Sequence, residues 1–144
     1  MSVTLQLPNA RSIEEMQTII ATIPYARFLG FSVMRDGINV IGRMDFDDRR
    51  LGNTVVRALH GGTLGALMEL TAMCQLLTLA EIVRVPKTVN ITVEYLRSAQ
   101  AVDTFARATV TRHGRRVANV QVVSYQDDPT RPVAAANAHF LLAV

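Results

Sequence analysis

The sequence predicts an α+β protein in which an antiparallel sheet of about six strands wraps around one long central helix. Three observations carry that prediction. A continuous apolar stretch runs from His60 to about Val83, free of proline and dominated by Leu, Ala and Met, which is a helix-forming composition. Four strand-like runs follow it, separated by short turns, as in an antiparallel meander. A further pair of runs precedes it around Asp36-Gly37, a two-residue hairpin signal. The helix is apolar on nearly every face, so it must be buried, and a sheet can curl around it. One small sheet cannot cover it completely, which predicts an oligomer.

The elements follow in order. Residues 1–11 read as a loose arm. Ser12 with Glu15 forms a capping box, and Ile13, Met16, Ile19, Ile20 and Ile23 recur at helical spacing until Pro24. Residues 1–24 are thus an N-terminal arm and helix, and residues 25–144 a single main domain. Tyr25 to Gly30 is a connector of about one helical turn, and Phe31 to Phe46 a hairpin. Asp47 to Leu59 is a polar, irregular approach to the central helix; such loops often carry site residues, which marks Asn53 and Thr54. Beyond the helix, Thr88 to Leu96 alternates, with Val89, Ile91, Val93 and Tyr95 on one face and Thr88, Asn90, Thr92 and Glu94 on the other. Phe105 to Thr111, Val117 to Tyr125 and Val133 to Ala143 complete the strands, with turns at Ser98–Asp103, His113-Gly114 and Asp127–Thr130.

Composition narrows the functional classes. A chain of 144 residues with 49% apolar and 19% charged residues is globular and large enough for one core. The formal charge of +3 is spread along the chain except for one cluster at Arg112–Arg116, which points to a local anionic ligand and away from nucleic acid. The apolar run is long enough for a membrane span, but Glu69, Gln75 and Glu81 interrupt it, and no membrane association is expected. The single Cys74 and the lack of a basic-then-apolar leader suggest a reducing cytoplasm. Three scattered histidines and one cysteine give no metal-ligand spacing.

The central helix carries the chemistry. At 100° per residue, Gly62, Gly65, Ala66, Glu69, Ala72 and Met73 share one face, small-sided around a single carboxylate. The glycine pair at its start leaves free N–H groups at the positive end of the dipole, able to hold an oxyanion. A partly desolvated carboxylate two turns on suits a base. A close helix contact with a satisfied core carboxylate explains the same residues equally well, so structural and catalytic readings both stand on spacing alone.

His60-Gly61-Gly62, Leu67 and Glu69, in this order, resemble the signature of hotdog-fold acyl-CoA thioesterases, above all the phenylacetate-pathway and 4-hydroxybenzoyl-CoA types, over about residues 25–143. The resemblance implies hydrolysis of an acyl-CoA thioester, with coenzyme A as part of the substrate and no separate cofactor. In it the Gly61 N–H polarises the thioester carbonyl, and Glu69 is general base or nucleophile. Thr88 helps place water, His60 fixes the loop and Gly62 the helix start. Members usually have Asn or Gln six residues before the histidine; this chain has Thr54 there and Asn53 one place too early. The resemblance further implies a homodimer or homotetramer with site residues from two chains, so that Thr88 can face Glu69 of a partner. The turn His113-Gly114-Arg115-Arg116, often Gly-plus-basic in that family, would meet the coenzyme A phosphates, with Arg97 a second candidate. The alternative is a non-catalytic acyl-CoA-binding hotdog protein. A dehydratase is disfavoured by the absence of a His-Phe-Pro pattern, and a transcription factor by the absence of a DNA-binding segment.

Overall fold

The computed structural model describes residues 11–79, 82 and 84–142. Helix α1 (Ile13–Ala21) begins at a complete capping box, with the Ser12 side chain accepting from the Glu15 N–H and the Glu15 carboxylate accepting from the Ser12 N–H. The short helix α2 (Pro24–Phe28) follows, with proline at its first position. Strands β1 (Phe31–Asp36) and β2 (Asn39–Met44) form the hairpin. Its loop is Gly37-Ile38, where Gly37 takes φ 62°, a left-handed conformation that glycine adopts without steric cost. A 3-10 turn (Asp48–Arg50) leads into a small hairpin, β3 (Leu51–Asn53) and β4 (Ala58–Leu59). The long helix α3 (Gly61–Leu77) then crosses the molecule, and β5 (Lys87–Tyr95), β6 (Thr104–His113), β7 (Val117–Tyr125) and β8 (Ala134–Leu141) complete the chain. The six long strands form one antiparallel sheet in the order β1-β2-β6-β7-β8-β5.

The sheet's inner face is built for a close helix. Ala106, Ala108, Ala118, Ala134, Ala136 and Ala138 all point inward and are buried, with Val120, Val122 and Phe140 between them. Small inner side chains let α3 lie near the backbone. At Gly42 of β2 the approach is closest, because a β-carbon there would sit 2.0 Å from Thr71 Oγ1 and 2.9 Å from the Phe31 ring. Met16 and Ile20 of α1 are buried in the same core. Gln75 ties α3 to the hairpin, accepting from the Val40 N–H (2.8 Å) and donating to the Ile38 carbonyl (3.2 Å).

Helix α3 stops at Leu77, earlier than the apolar run suggested. The Thr78 hydroxyl donates to the Gln75 carbonyl (2.6 Å), and Arg11 Nη1 donates to the Leu77 carbonyl (3.0 Å), so the end is satisfied without another turn. Ile82 is still buried; apolar character reported burial there, without helical continuation. Residues 80, 81 and 83 of the expected helix, residues 1–10 of the arm and the last two residues lie outside the described residues.

The two edges of the sheet differ. Along β1, Gln17 of α1 accepts the Val33 N–H (2.6 Å) and the helix packs beside the strand. The other edge strand, β5, has a neighbour on one side only and exposes Val89 (61%) and Tyr95 (56%).

The contact at Gly42 makes a direct prediction. Gly42→Ala forces Thr71 out of its place and should cost about 1–3 kcal/mol, a fall in melting temperature of roughly 3–10 °C. Thermal denaturation followed by circular dichroism checks it; an unchanged midpoint would mean that Thr71 rotates away freely.

Candidate active site

The start of α3 is held rigidly despite two successive glycines. The His60 N–H donates to the Arg50 carbonyl (2.8 Å), and the Leu59 N–H to the Ala99 carbonyl (3.0 Å), which fix the approach. His60 is the N-cap, and its Nδ1 accepts from the Gly62 N–H (2.9 Å). That bond assigns the ring proton of neutral His60 to Nε2. The His60 carbonyl accepts from the Thr63 N–H (2.9 Å) and hydroxyl (2.6 Å). Of these first helical N–H groups, only that of Gly61 has no acceptor among the described residues. It therefore offers one directed donor at the positive end of the helix.

Tyr95, at the end of β5, packs against the same residue. Its hydroxyl donates to the Gly61 carbonyl (2.9 Å), and its ring lies where a β-carbon on residue 61 would go, 2.9 Å away. A side chain at 61 would have to displace the Tyr95 ring. Gly52 is required on the other side, since a β-carbon there would be 2.8 Å from the His60 backbone.

Glu69 sits two turns further along α3, half-buried beside Gly65 and Ala66. Its Oε2 accepts from the Thr88 hydroxyl of the same chain at 2.5 Å, the one hydrogen bond the carboxylate makes among the described residues. Two expectations are corrected here. Thr88 faces Glu69 within one chain, without a subunit boundary between them. Thr88 also leaves the face of Asn90, Thr92 and Glu94 that simple alternation assigned it. A register shift between Thr88 and Asn90 sets Thr88 opposite the buried Phe140 and Asn90 opposite His139. The extra residue, Val89, is a β-bulge, which re-phases the strand and turns Thr88 inward with Ile91, Val93 and Tyr95.

The remaining candidates divide by position. Asn53 and Thr54 lie on the β3–β4 hairpin that feeds His60 and are exposed; Asn53 Oδ1 accepts from the Val55 and Val56 N–H groups (3.0 and 3.1 Å), which makes it a turn-former. The turn His113-Gly114-Arg115-Arg116 closes the β6–β7 hairpin, with the Gly114 N–H on the Val117 carbonyl (2.9 Å). It lies at the Thr88 end of the sheet, because Lys87 and Val117 both pair with Leu141. Arg97 lies at the opposite end, its Nε donating to the Pro132 carbonyl (3.0 Å). One chain therefore does not bring Arg97 and that turn together. A cleft of about 790 Å³ is lined by Phe46, Arg97, Gln100, Asp103 and Arg131 and does not reach Glu69. Burial pushes the Cys74 thiol up to about 12, so it is packing and no nucleophile. Among the described residues no cluster of His, Cys, Asp and Glu is placed to hold a metal, and no helix is long and apolar enough to cross a membrane.

The sequence profile of the thioesterase superfamily matches residues 57–133, which span β4, α3, β5, β6 and β7. The chain belongs to the thioesterase superfamily. Its six-stranded sheet around α3 is the hotdog fold of that superfamily, and the membership supports thioester hydrolysis as the class of reaction. Among solved structures, a Chromobacterium violaceum protein is 34% identical over 90% of both chains, with a TM-score of 0.72. A phenylacetic acid degradation-related protein from Ralstonia eutropha is 26% identical, covering 88% of this chain and 98% of its own, with a TM-score of 0.75. A thioesterase from Haemophilus influenzae shares the fold at 20% identity and a TM-score of 0.80, with 92% and 91% covered. None of the curated proteins matches the chain in sequence.

Sequence reasoning missed Tyr95 as a site residue and missed the bulge at Val89. The first had a signal of sorts, in that Gly61 needs a reason to be glycine; the second had none in a strand that alternates without a break. Removing the donor to Glu69 tests the pair. Thr88→Val leaves a half-buried carboxylate without its hydrogen bond and should lower stability by about 1–2 kcal/mol in urea titration, with Thr88→Ser restoring it. Equal stability of the Val variant would show that water satisfies Glu69 unaided.

Proposed function

We propose that this thioesterase hydrolyses acyl-CoA at a site shared between two copies of the chain. One observation carries the shared site: the Gly61 N–H and Glu69 are eight residues apart on one straight helix, about 12 Å along its axis. A single carbonyl cannot meet both. The unprotected β5 edge supplies the remedy. Antiparallel pairing of β5 with its copy, centred on Thr92, sets Ile91 opposite the partner's Val93. The bulged Thr88-Val89 then comes opposite the partner's Tyr95. Gly61 of one chain thereby approaches Glu69 of the other, and Val89 and Tyr95 are covered. β1 is blocked by Gln17 and α1, so the pairing has one edge available to it. The same pairing brings Arg97 of one chain towards the basic turn of the other. Arg115 and Arg116 are exposed there, without a carboxylate partner among the described residues. Planar guanidinium groups suit coenzyme A phosphates.

The chemistry then follows from the two half-sites. The thioester oxygen accepts from the Gly61 N–H, whose helix dipole favours negative charge as it develops. Glu69, oriented by Thr88, takes a proton from water, and the hydroxide adds to the carbonyl carbon. The tetrahedral intermediate expels coenzyme A as thiolate, which takes the proton back from Glu69, leaving the free acid. Direct attack by Glu69, giving an anhydride that water then opens, uses the same geometry. Asn53 and Thr54 belong to the Gly61 half, on the hairpin leading into His60. A reducing cytoplasm fits a chain whose thiol, Cys74, is free and buried. Non-catalytic acyl-CoA binding is the second reading, favoured by Thr54 where the resemblance implies an amide; it predicts binding without release of free thiol.

Four measurements test the proposal. Glu69→Gln should fold normally and lose turnover by roughly 10²–10⁴-fold, read as free thiol from a chain-length panel of acyl-CoAs; near wild-type rates would make Glu69 structural. Light scattering should give a dimer, or a tetramer built from it, at micromolar concentration. Mixing Glu69→Gln with Gly61→Val, each inactive alone, should restore roughly one quarter of the activity through random pairing in a two-fold dimer; no restoration would place both groups in one chain's site. For the coenzyme, Arg115→Ala with Arg116→Ala should raise KM for acyl-CoA with kcat held, and spare a short thioester that lacks the nucleotide. Equal loss on both substrates would assign the turn to folding.

A further inference from the structure

Gly61 and Gly62 are the least constrained residues at which a helix can start, because glycine has the widest backbone freedom. An oxyanion donor works only if it is fixed before charge develops, since a donor that must reorganise forfeits part of its effect. The structure shows how each peptide near the start is held. The Gly62 N–H is held by His60 Nδ1, and the His60 carbonyl by Thr63. The Gly61 carbonyl alone is held from outside the helix, by the Tyr95 hydroxyl at 2.9 Å, while the ring occupies the space beside the Gly61 α-carbon. Tyr95 is itself anchored in β5, where it pairs with Ala134 of β8, and the adjacent Leu96 N–H donates to the Val133 carbonyl (2.9 Å).

We propose that Tyr95 is a positioning residue: its hydroxyl holds the Gly61–Gly62 peptide and its ring packs beside the Gly61 α-carbon, so that, with Thr63 holding the His60–Gly61 peptide on the other side of that α-carbon, the Gly61 N–H stays aimed at the thioester oxygen before reaction. This rests on Gly61 being the oxyanion donor of an acyl-CoA thioesterase. This clamp has a polar half and a steric half. The hydroxyl fixes the Gly61–Gly62 peptide, which restrains the Gly61 N–H through the shared α-carbon, and the ring keeps that α-carbon from swinging outward. A substrate bound at its nucleotide end is unaffected by the clamp, whereas the transition state depends on it. The effect therefore falls on kcat.

The test compares wild type with Tyr95→Phe, which keeps the ring, and Tyr95→Leu, which removes it. Light scattering and thermal denaturation first establish that the variants keep the wild-type assembly and fold. Tyr95→Phe should lower kcat roughly tenfold with KM changed less than about twofold, and Tyr95→Leu should lower kcat further. Independently of turnover, the Gly61 amide resonance in ¹⁵N-labelled protein should be sharp in wild type and broadened or shifted in Tyr95→Phe, with Gly65 unchanged. An unchanged kcat, a loss that appears in KM instead, or an unmoved Gly61 signal overturns the proposal. A wild-type protein that releases no thiol from any acyl-CoA overturns the functional reading, and the Gly61 signal then decides by itself whether Tyr95 orders that peptide.

Discussion

Everything in this protein answers to one constraint, the burial of a seventeen-residue helix that is apolar on almost every side. The sheet meets it with an inner face of alanines on β6, β7 and β8 and a glycine at position 42, so that α3 lies nearly on the strands' backbone. Close packing of this kind makes the interior sensitive to single methyl groups. It also decides which part of the helix stays uncovered. α3 packs mainly on β2, β6 and β7 and only lightly on β5. The strip that includes Gly61, Gly65, Ala66 and Glu69 is left half-buried beside that last strand. The groups of the proposed site lie where the helix leaves the sheet.

The same geometry gives the sheet two unequal edges. A strand edge exposes unpaired N–H and C=O groups, and proteins either cover it or use it. Here α1 and Gln17 cover β1, while β5 is left open with apolar side chains at both ends. Those two ends are attached to the two groups of the proposed site, Tyr95 to Gly61 and Thr88 to Glu69. In the proposed dimer a second copy reverses that edge, and the two-fold axis would convert two incomplete sites into two complete ones.

How far the sequence reached depends on the range of the interaction. The capping box at Ser12, the turn glycine at 37, the order of elements and the burial of α3 are local or compositional properties, and they were legible residue by residue. His60-Gly61-Gly62 with Glu69 was legible as a helix start with a carboxylate two turns on. The stop at Leu77 was hidden, because Leu79 and Ile82 carry the same apolar signal inside a turn as inside a helix. The β3–β4 hairpin was hidden too, since two- and three-residue strands leave no periodic trace.

What the sequence by itself determined is therefore the fold class, the order of the long elements along the chain and the one buried helix with its glycine start and lone carboxylate, because patterning and capping act over a few residues. What only the tertiary structure decided is which groups meet. The bulge at Val89 turns Thr88 onto Glu69, contrary to strict alternation, and no local signal marks a bulge in a strand that alternates cleanly. Tyr95 reaches Gly61 across 34 positions of sequence. Arg97 and the Arg115-Arg116 turn, both basic and both near strand ends, are sent to opposite ends of the sheet by the register of β5, β8 and β7. Contacts of that range are set by sheet register and helix placement, which exist only once the chain has folded.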